Sequence, residues 1–210
     1  MSRFEIDSYE RQKLWVEHFT EMLSRPDPPF DAKDVVNERA ALFRKKIDEA
    51  AYACAKGDFE HVLNLYDEVV ELDPTNHVLY SNRSAIQCKL GRYREAFADA
   101  VKSIECKPSW AKAHYRKGHA LICMGEYVPA LVAFATGLAL DPTNKQLAWS
   151  LTDAASKCPI REQFFATFND MKCSGLNRSA FLLISVAGQS LYTAGYVTEA
   201  VGVLELAMKV

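Results

Sequence analysis

The apolar positions of this chain recur at helical spacing, in separate blocks. Phe97, Val101 and Ile104 follow Tyr93 at steps of four and three, which puts them on one face of a helix. Trp15, Phe19, Met22 and Leu23 form a similar stripe within residues 8–24, with Glu10, Arg11, Lys13, Glu17 and Glu21 mostly opposite. Leu147, Trp149 and Leu151 mark a helix after Pro142, and Phe164, Phe165, Phe168 and Met171 mark another. The longest apolar runs, Val128–Leu140 and Ala180–Gly188, are shorter than the roughly 18–20 residues a membrane span needs. The pattern predicts an all-α fold.

The helix breakers repeat. Pro74, Pro108 and Pro142 stand 34 residues apart, and Gly57, Gly91 and Gly125 keep the same step. An aromatic follows each glycine by two positions: Phe59, Tyr93 and Tyr127. The stretch Leu72-Asp73-Pro74-Thr75-Asn76 returns as Leu140-Asp141-Pro142-Thr143-Asn144. Glycine permits the left-handed backbone that ends one helix, and proline closes the next. Small residues are expected where the two axes cross: Ala50, Ser84 and Gly118 on the first helices, Ala96 and Ala130 on the second. Such a helix pair cannot bury its apolar face alone, so neighbouring pairs stack.

These features divide the chain. Residues 1–30 read as an N-terminal cap helix followed by a Pro-rich connector, Arg25-Pro26-Asp27-Pro28-Pro29-Phe30. Residues 31–144 hold three repeats, 43–76, 77–110 and 111–144. Residues 145–180 break the period and read as a helical linker. Residues 181–210 form an incomplete fourth unit, with Gly195 at the turn, Gly188 at the crossing, and Ala200 and Ala207 as its small residues. Stopping inside a unit, the chain reads as a piece of a longer array.

The 34-residue period and its small–Gly–aromatic–Ala–Pro pattern resemble the tetratricopeptide (TPR) repeat. The resemblance implies a helical solenoid, a right-handed superhelix of antiparallel helix pairs that binds other proteins. The first unit is the weakest, because Lys46 and Glu49 sit at usually apolar positions.

Composition narrows the function. The 210 residues carry a formal net charge of −2, so no overall basic field exists to hold nucleic acid or an anionic membrane. Neither partner is expected. Six cysteines show no CxxC pair, and Met1-Ser2-Arg3-Phe4-Glu5 is no secretory signal. Free thiols and a cytoplasmic location follow as expectations. No GxSxG, GxxxxGK[ST] or HExxH motif occurs, and His18, His61, His77, His114 and His119 never adopt metal-ligand spacing. The chain is expected to be no enzyme and to need no cofactor or metal.

The informative polar residues lie on the first helices of the second and third units. Lys112 and Arg116 share a face at i, i+4, and Asn82 stands one repeat before Arg116. Together they can converge on one anion, such as a peptide carboxylate. Ser81, Ala85, Tyr115 and His119 are expected to line the same concave groove.

The run from His77 to Ser84 resembles TPR co-chaperones that grip the C-terminal carboxylate of heat-shock proteins. Of that family's five clamp residues, Asn82, Lys112 and Arg116 match three, while Ile47 and Ala51 replace the other two. Arg44 or Lys46 is a possible substitute. A longer resemblance, over roughly residues 40–210, is to a large, many-repeat animal member of the family. It rests on Ala133–Pro142, Cys158-Pro159-Ile160-Arg161, Ser185–Gln189 and Thr193-Ala194-Gly195. It implies a scaffold linked with cell division, associated with the cytoskeleton or midbody. Two functions therefore stand: a scaffold that binds partner peptides in its groove, and a co-chaperone with a partial carboxylate clamp. In both, the partner is a protein or peptide with an acidic or C-terminal tail.

Overall fold

The computed structural model describes residues 35–173 and 179–210, with side chains over 40–170 and 179–210. The expected cap helix and connector lie outside the described residues. The contacts divide the chain into two compact units at Pro74/Thr75.

The first unit holds helices α1 (Val35–Ala55) and α2 (Phe59–Leu72), packed on each other. Asp58 starts α2, its side chain accepting from the His61 amide at 3.2 Å. Ala50, Ala53 and Cys54 are buried, as are Val62, Leu65, Tyr66 and Val69 of α2. Lys46 is accommodated by an ion pair with Glu68 on α2, which explains how a charge survives at a usually apolar position.

The second unit runs through α3 (His77–Lys89), α4 (Tyr93–Cys106), α5 (Ala111–Cys123), α6 (Tyr127–Leu140), α7 (Lys145–Lys157), α8 (Arg161–Cys173), α9 (Ala180–Thr193) and α10 (Val197–Ala207). The recurring Asp-Pro-Thr-Asn does the same work twice. Asn76 caps α3 by accepting from Val78 N at 3.0 Å, and Asn144 caps α7 by accepting from Leu147 N at 3.1 Å. Removing such a cap typically costs about 1 kcal/mol.

The turns and crossings follow from residue size. Gly125 has φ +82°, and the equivalent Gly91 and Gly195 have +76° and +89°. A side chain is strained there. At the α5/α6 crossing a Cβ on Gly118 would stand 2.5 Å from the Phe134 ring. A Cβ on Gly188 would meet Leu204 at 2.7 Å where α9 crosses α10. Opposite these sites Ala96, Ala130 and Ala200 are fully buried. The α3/α4 crossing is polar instead: Ser84 Oγ donates to Ala96 O at 2.7 Å, and Arg83 pairs with Asp99 through two bonds of 2.7 Å.

Residues 145–173 differ from the expected break in period. Helix α7 begins at Lys145, 34 residues after α5 begins at Ala111. The register is kept; the turn chemistry changes. Cys158-Pro159 stands where glycine would, with Cys158 extended at φ −78°, ψ 158°. Helix α8 then packs chiefly on α9, burying Ile160 and Phe164, with Phe164 stacked on Phe168 at 6.3 Å between centroids.

Helices α9 and α10 pack against α6. The main core therefore gathers Leu131, Phe134 and Leu138 with Leu147, Leu151, Leu182, Ile184 and Leu191. Each such side chain contributes about 1.5–3 kcal/mol on full burial. No helix among the described residues is long and apolar enough to cross a membrane.

Candidate peptide-binding face

The sequence-predicted residues occupy α3 and α5, which pack directly on each other. Helical geometry sets their order: Ser81, Asn82 and Ala85 fall on one stripe of α3, and Lys112, Tyr115, Arg116 and His119 on the matching stripe of α5. They differ in accessibility. Lys112, Tyr115 and His119 are half-buried. Asn82 and Arg116 are buried, at 1% and 8% exposure, and Ser81 and Ala85 are buried as well.

Ser81 and Ala85 were expected to line an open groove. Their short side chains instead lie beneath the accessible surface and serve as its floor. The Ser81 hydroxyl is buried without a hydrogen-bond partner among the described residues.

The charged side chains are oriented by aromatic neighbours. The Arg116 guanidinium lies 5.6 Å from the Tyr115 ring centroid, and the Lys112 ammonium lies 6.0 Å from that of Trp110. Cations so placed gain from the ring quadrupole and lose side-chain freedom before any ligand arrives. Tyr115 in turn packs on Phe134 and His119, at centroid distances of 5.9 and 6.1 Å.

The face is locally electropositive although the whole chain is not. Burial pushes the His119 imidazole down to about 4, and the charges of Arg116 and Lys89 push in the same direction. At neutral pH His119 is therefore uncharged, able to donate one hydrogen bond and accept another. Burial also raises the Tyr115 phenol, while Arg116 and a hydrogen bond from Gln146 oppose that rise. His114 lies apart, bonded through Nε2 to Pro108 O at 2.9 Å, with its pKa lowered by burial.

The structure adds residues that the sequence reading missed. Gln146 Nε2 on α7 donates to Tyr115 Oη at 3.0 Å, so the face continues from α5 onto α7. Trp149, one helical turn further and 34 residues after Tyr115, is 63% exposed. Lys89 joins through its field at His119. The signal for α7 was present: Asp141-Pro142-Thr143-Asn144 announces another helix start, and counting 34 from Lys112 and Tyr115 reaches Gln146 and Trp149.

The clamp positions on α1 carry no such chemistry. Ile47 and Ala51 are half-buried, and Lys46, one possible substitute, is engaged with Glu68. The other, Arg44, is exposed. No group of three His, Cys, Asp or Glu side chains able to hold a metal occurs among the described residues.

A Tetratricopeptide repeat family model matches residues 65–98. The chain is 40% identical over 195 residues to human Tetratricopeptide repeat protein 28, covering 89% of this chain but only 8% of that protein. It is 45% identical over 111 residues to the Hsp70-Hsp90 organizing protein of Triticum aestivum, covering 52% of this chain and 19% of that one. Among solved structures, the TPR2B domain of yeast Sti1 in its pHsp70 complex superposes with a TM-score of 0.54 at 26% identity, covering 56% of this chain and 99% of that one. The second TPR domain of human RPAP3, in complex with the HSP70 peptide SGPTIEEVD, gives 0.52 at 28% identity, covering 55% and 97%. The stacked helix pairs, the glycine turns and these likenesses agree: the chain carries the tetratricopeptide repeat on an all-α fold.

Proposed function

We propose that this chain is a non-enzymatic interaction scaffold whose α3/α5/α7 face takes the acidic, carboxylate-terminated tail of a partner protein. The observation that carries this reading is the gathering of Lys89, Lys112 and Arg116 around a neutral His119 and Tyr115 in a chain of net charge −2. Lys112 is the most accessible cation among the matched clamp residues and makes first contact; Arg116 and Asn82, buried behind it, supply guanidinium and amide hydrogen bonds. Each charge-assisted bond contributes about 1.5–3 kcal/mol. Trp149 offers an apolar plate for a residue upstream of the carboxylate. That relatives of the fold are known in complex with Hsp70 peptides supports this choice of ligand. The loss of polar groups at Ile47 and Ala51 makes the clamp a partial one, with weaker selection for the terminal carboxylate than a five-residue clamp would give.

The test is calorimetric titration with an acidic pentapeptide, once with a free C-terminal carboxylate and once amidated. Micromolar binding of the free acid, lost on amidation and weakened about 10-fold by Lys112→Ala, is expected. Equal binding of both peptides, or binding of neither, sinks the carboxylate reading.

A second reading, a scaffold serving cell division, is supported by similarity that continues through residues 145–180 and by an exposed apolar surface of Phe181, Val201, Leu204 and Met208. Such a scaffold holds partners without regard to a free carboxylate. Fluorescent tagging in dividing cells tests it: concentration at the midbody is expected, and a uniform cytoplasmic signal through division counts against it.

A further inference from the structure

Two cysteines of the second unit stand in a relation that the peptide-binding reading leaves unused. Cys88 lies in the last turn of α3, and Cys123 ends α5. Their thiols are hydrogen-bonded to each other across the two packed helices. Both are half-buried, so small oxidants can reach them. Both helices stop at once, with Leu90 and Met124 as caps, so the last turns can adjust without disturbing the crossings at Ser84 and Gly118.

We propose that Cys88 and Cys123 are an oxidation site, closing a reversible disulfide that ties α3 to α5 beside Tyr115 and Arg116 when the protein meets a peroxide. The proposal is independent of what the face binds.

The surrounding charges assign the roles. The hydrogen bond from Cys88 holds the Cys123 thiol down to about 7, and the nearby Lys157 ammonium adds to this. A substantial fraction of Cys123 is thiolate at neutral pH, and the thiolate is the nucleophile. By contrast burial alone raises Cys158 to about 11, which leaves it inert.

The Cys123 thiolate attacks one oxygen of hydrogen peroxide. The O–O bond breaks, hydroxide leaves, and Cys123 becomes a sulfenic acid. Cys88 holds its proton well above the ordinary range, first because of its hydrogen bond to Cys123, then burial and the Cys123 charge. Oxidation of Cys123 removes the first and third of these, leaving the nearby Arg116 guanidinium to favour the Cys88 thiolate against burial. Cys88 then attacks the sulfenic sulfur, the S–O bond breaks, and the departing hydroxide leaves as water with the Cys88 proton. Two thiols and one peroxide yield one disulfide and two waters. Closure shortens the sulfur–sulfur separation to about 2.05 Å.

The test treats the full chain with equimolar hydrogen peroxide and maps its peptides by mass spectrometry without reduction. Expected are a linked peptide pair carrying Cys88 and Cys123, lighter by two hydrogens, and its loss on adding dithiothreitol. Before oxidation, iodoacetamide at neutral pH should label Cys123 about 10-fold faster than Cys106. Cys123→Ser should leave Cys88 unlinked, and Cys88→Ser should strand Cys123 as a sulfenic acid that dimedone traps. Circular dichroism checks that both variants fold. The proposal is overturned if the treated protein carries Cys123 on to sulfinic acid with no linked pair, or if Cys88 appears only in links between molecules.

Discussion

The α3/α4 and α5/α6 pairs share a length, a register and a crossing, yet they are held in opposite ways. At α5/α6 the Phe134 ring lies over Gly118, where even a methyl group would collide. One repeat earlier Ala100 replaces the phenylalanine and Ser84 the glycine. The space goes to a hydroxyl–carbonyl bond and to the Arg83–Asp99 pair, whose side chains are 18% and 9% exposed. The α9/α10 pair returns to the apolar solution with Gly188 and Leu204. The repeat therefore fixes a distance between helix axes, and any chemistry that fills it without a void or an unpaired charge is admitted. Polar filling suits α3, since a paired charge there keeps the helix rigid next to Asn82.

The comparison breaks most sharply at the ion pair. Asp99→Ala leaves the Arg83 guanidinium largely buried without its carboxylate, and should cost about 3–5 kcal/mol in urea unfolding. The double change Arg83→Leu with Asp99→Leu should recover much of that loss. If the single and double variants lose equal stability, polar and apolar filling are not interchangeable.

At the apolar crossing, Gly118→Val should cost about 1–3 kcal/mol or more by overpacking. Adding Phe134→Leu should restore part of it, because the ring is what the new side chain strikes. Thr152 on α7, at the equivalent position, is only half-buried, so Thr152→Ala should change stability by less than about 1 kcal/mol. A large loss there would mean that α7 and α8 cross as tightly as the other pairs do.

The third contrast is in pH. His119 is held down to about 4 by burial first, and then by Arg116 and Lys89, while Ala85 stands at the same position of α3. The unfolded chain takes up this proton near the ordinary histidine value, the folded chain only near 4. Stability should therefore fall as pH drops from about 6.5 to about 4, by on the order of 2 kcal/mol for this residue. The lowered pKa of His114 acts in the same direction. Thermal melts of His119→Gln should show a shallower decline across that window, and an unchanged slope would remove His119 as its source.

The smallest effect is expected at the turns. Gly125→Ala should cost about 1–2 kcal/mol from its φ of +82° alone, since no atom lies within 4 Å of an added Cβ. Pro159→Ala, at the equivalent place after α7, should cost less, because the backbone at Cys158 is already extended.

Much of this molecule was legible in the sequence because its punctuation is local. Gly91, Gly125 and Gly195 dictate left-handed turns, and the prolines with their following asparagines dictate where helices stop and start. The small residues at 84, 118 and 188 could be placed at crossings by counting. The stretch 145–173 was misread as a break because its turn lacks glycine, although Asn144 caps α7 in the manner of Asn76. For the candidate face, the sequence offered Asn82, Lys112 and Arg116 by their spacing, but Gln146 and Trp149 went unseen with α7.

By itself the sequence determined helix boundaries, repeat register and which residues share a helix face, since hydrogen bonding, capping and φ preferences act within a few residues. Only the tertiary structure decided what those faces meet. It buried Arg116 and Asn82 while leaving Lys112 and Trp149 reachable, set the Arg83 charge on Asp99, held His119 neutral, and brought Cys88 to Cys123. Burial, electrostatic fields and thiol–thiol contact depend on atoms that only packing brings together from tens of residues apart.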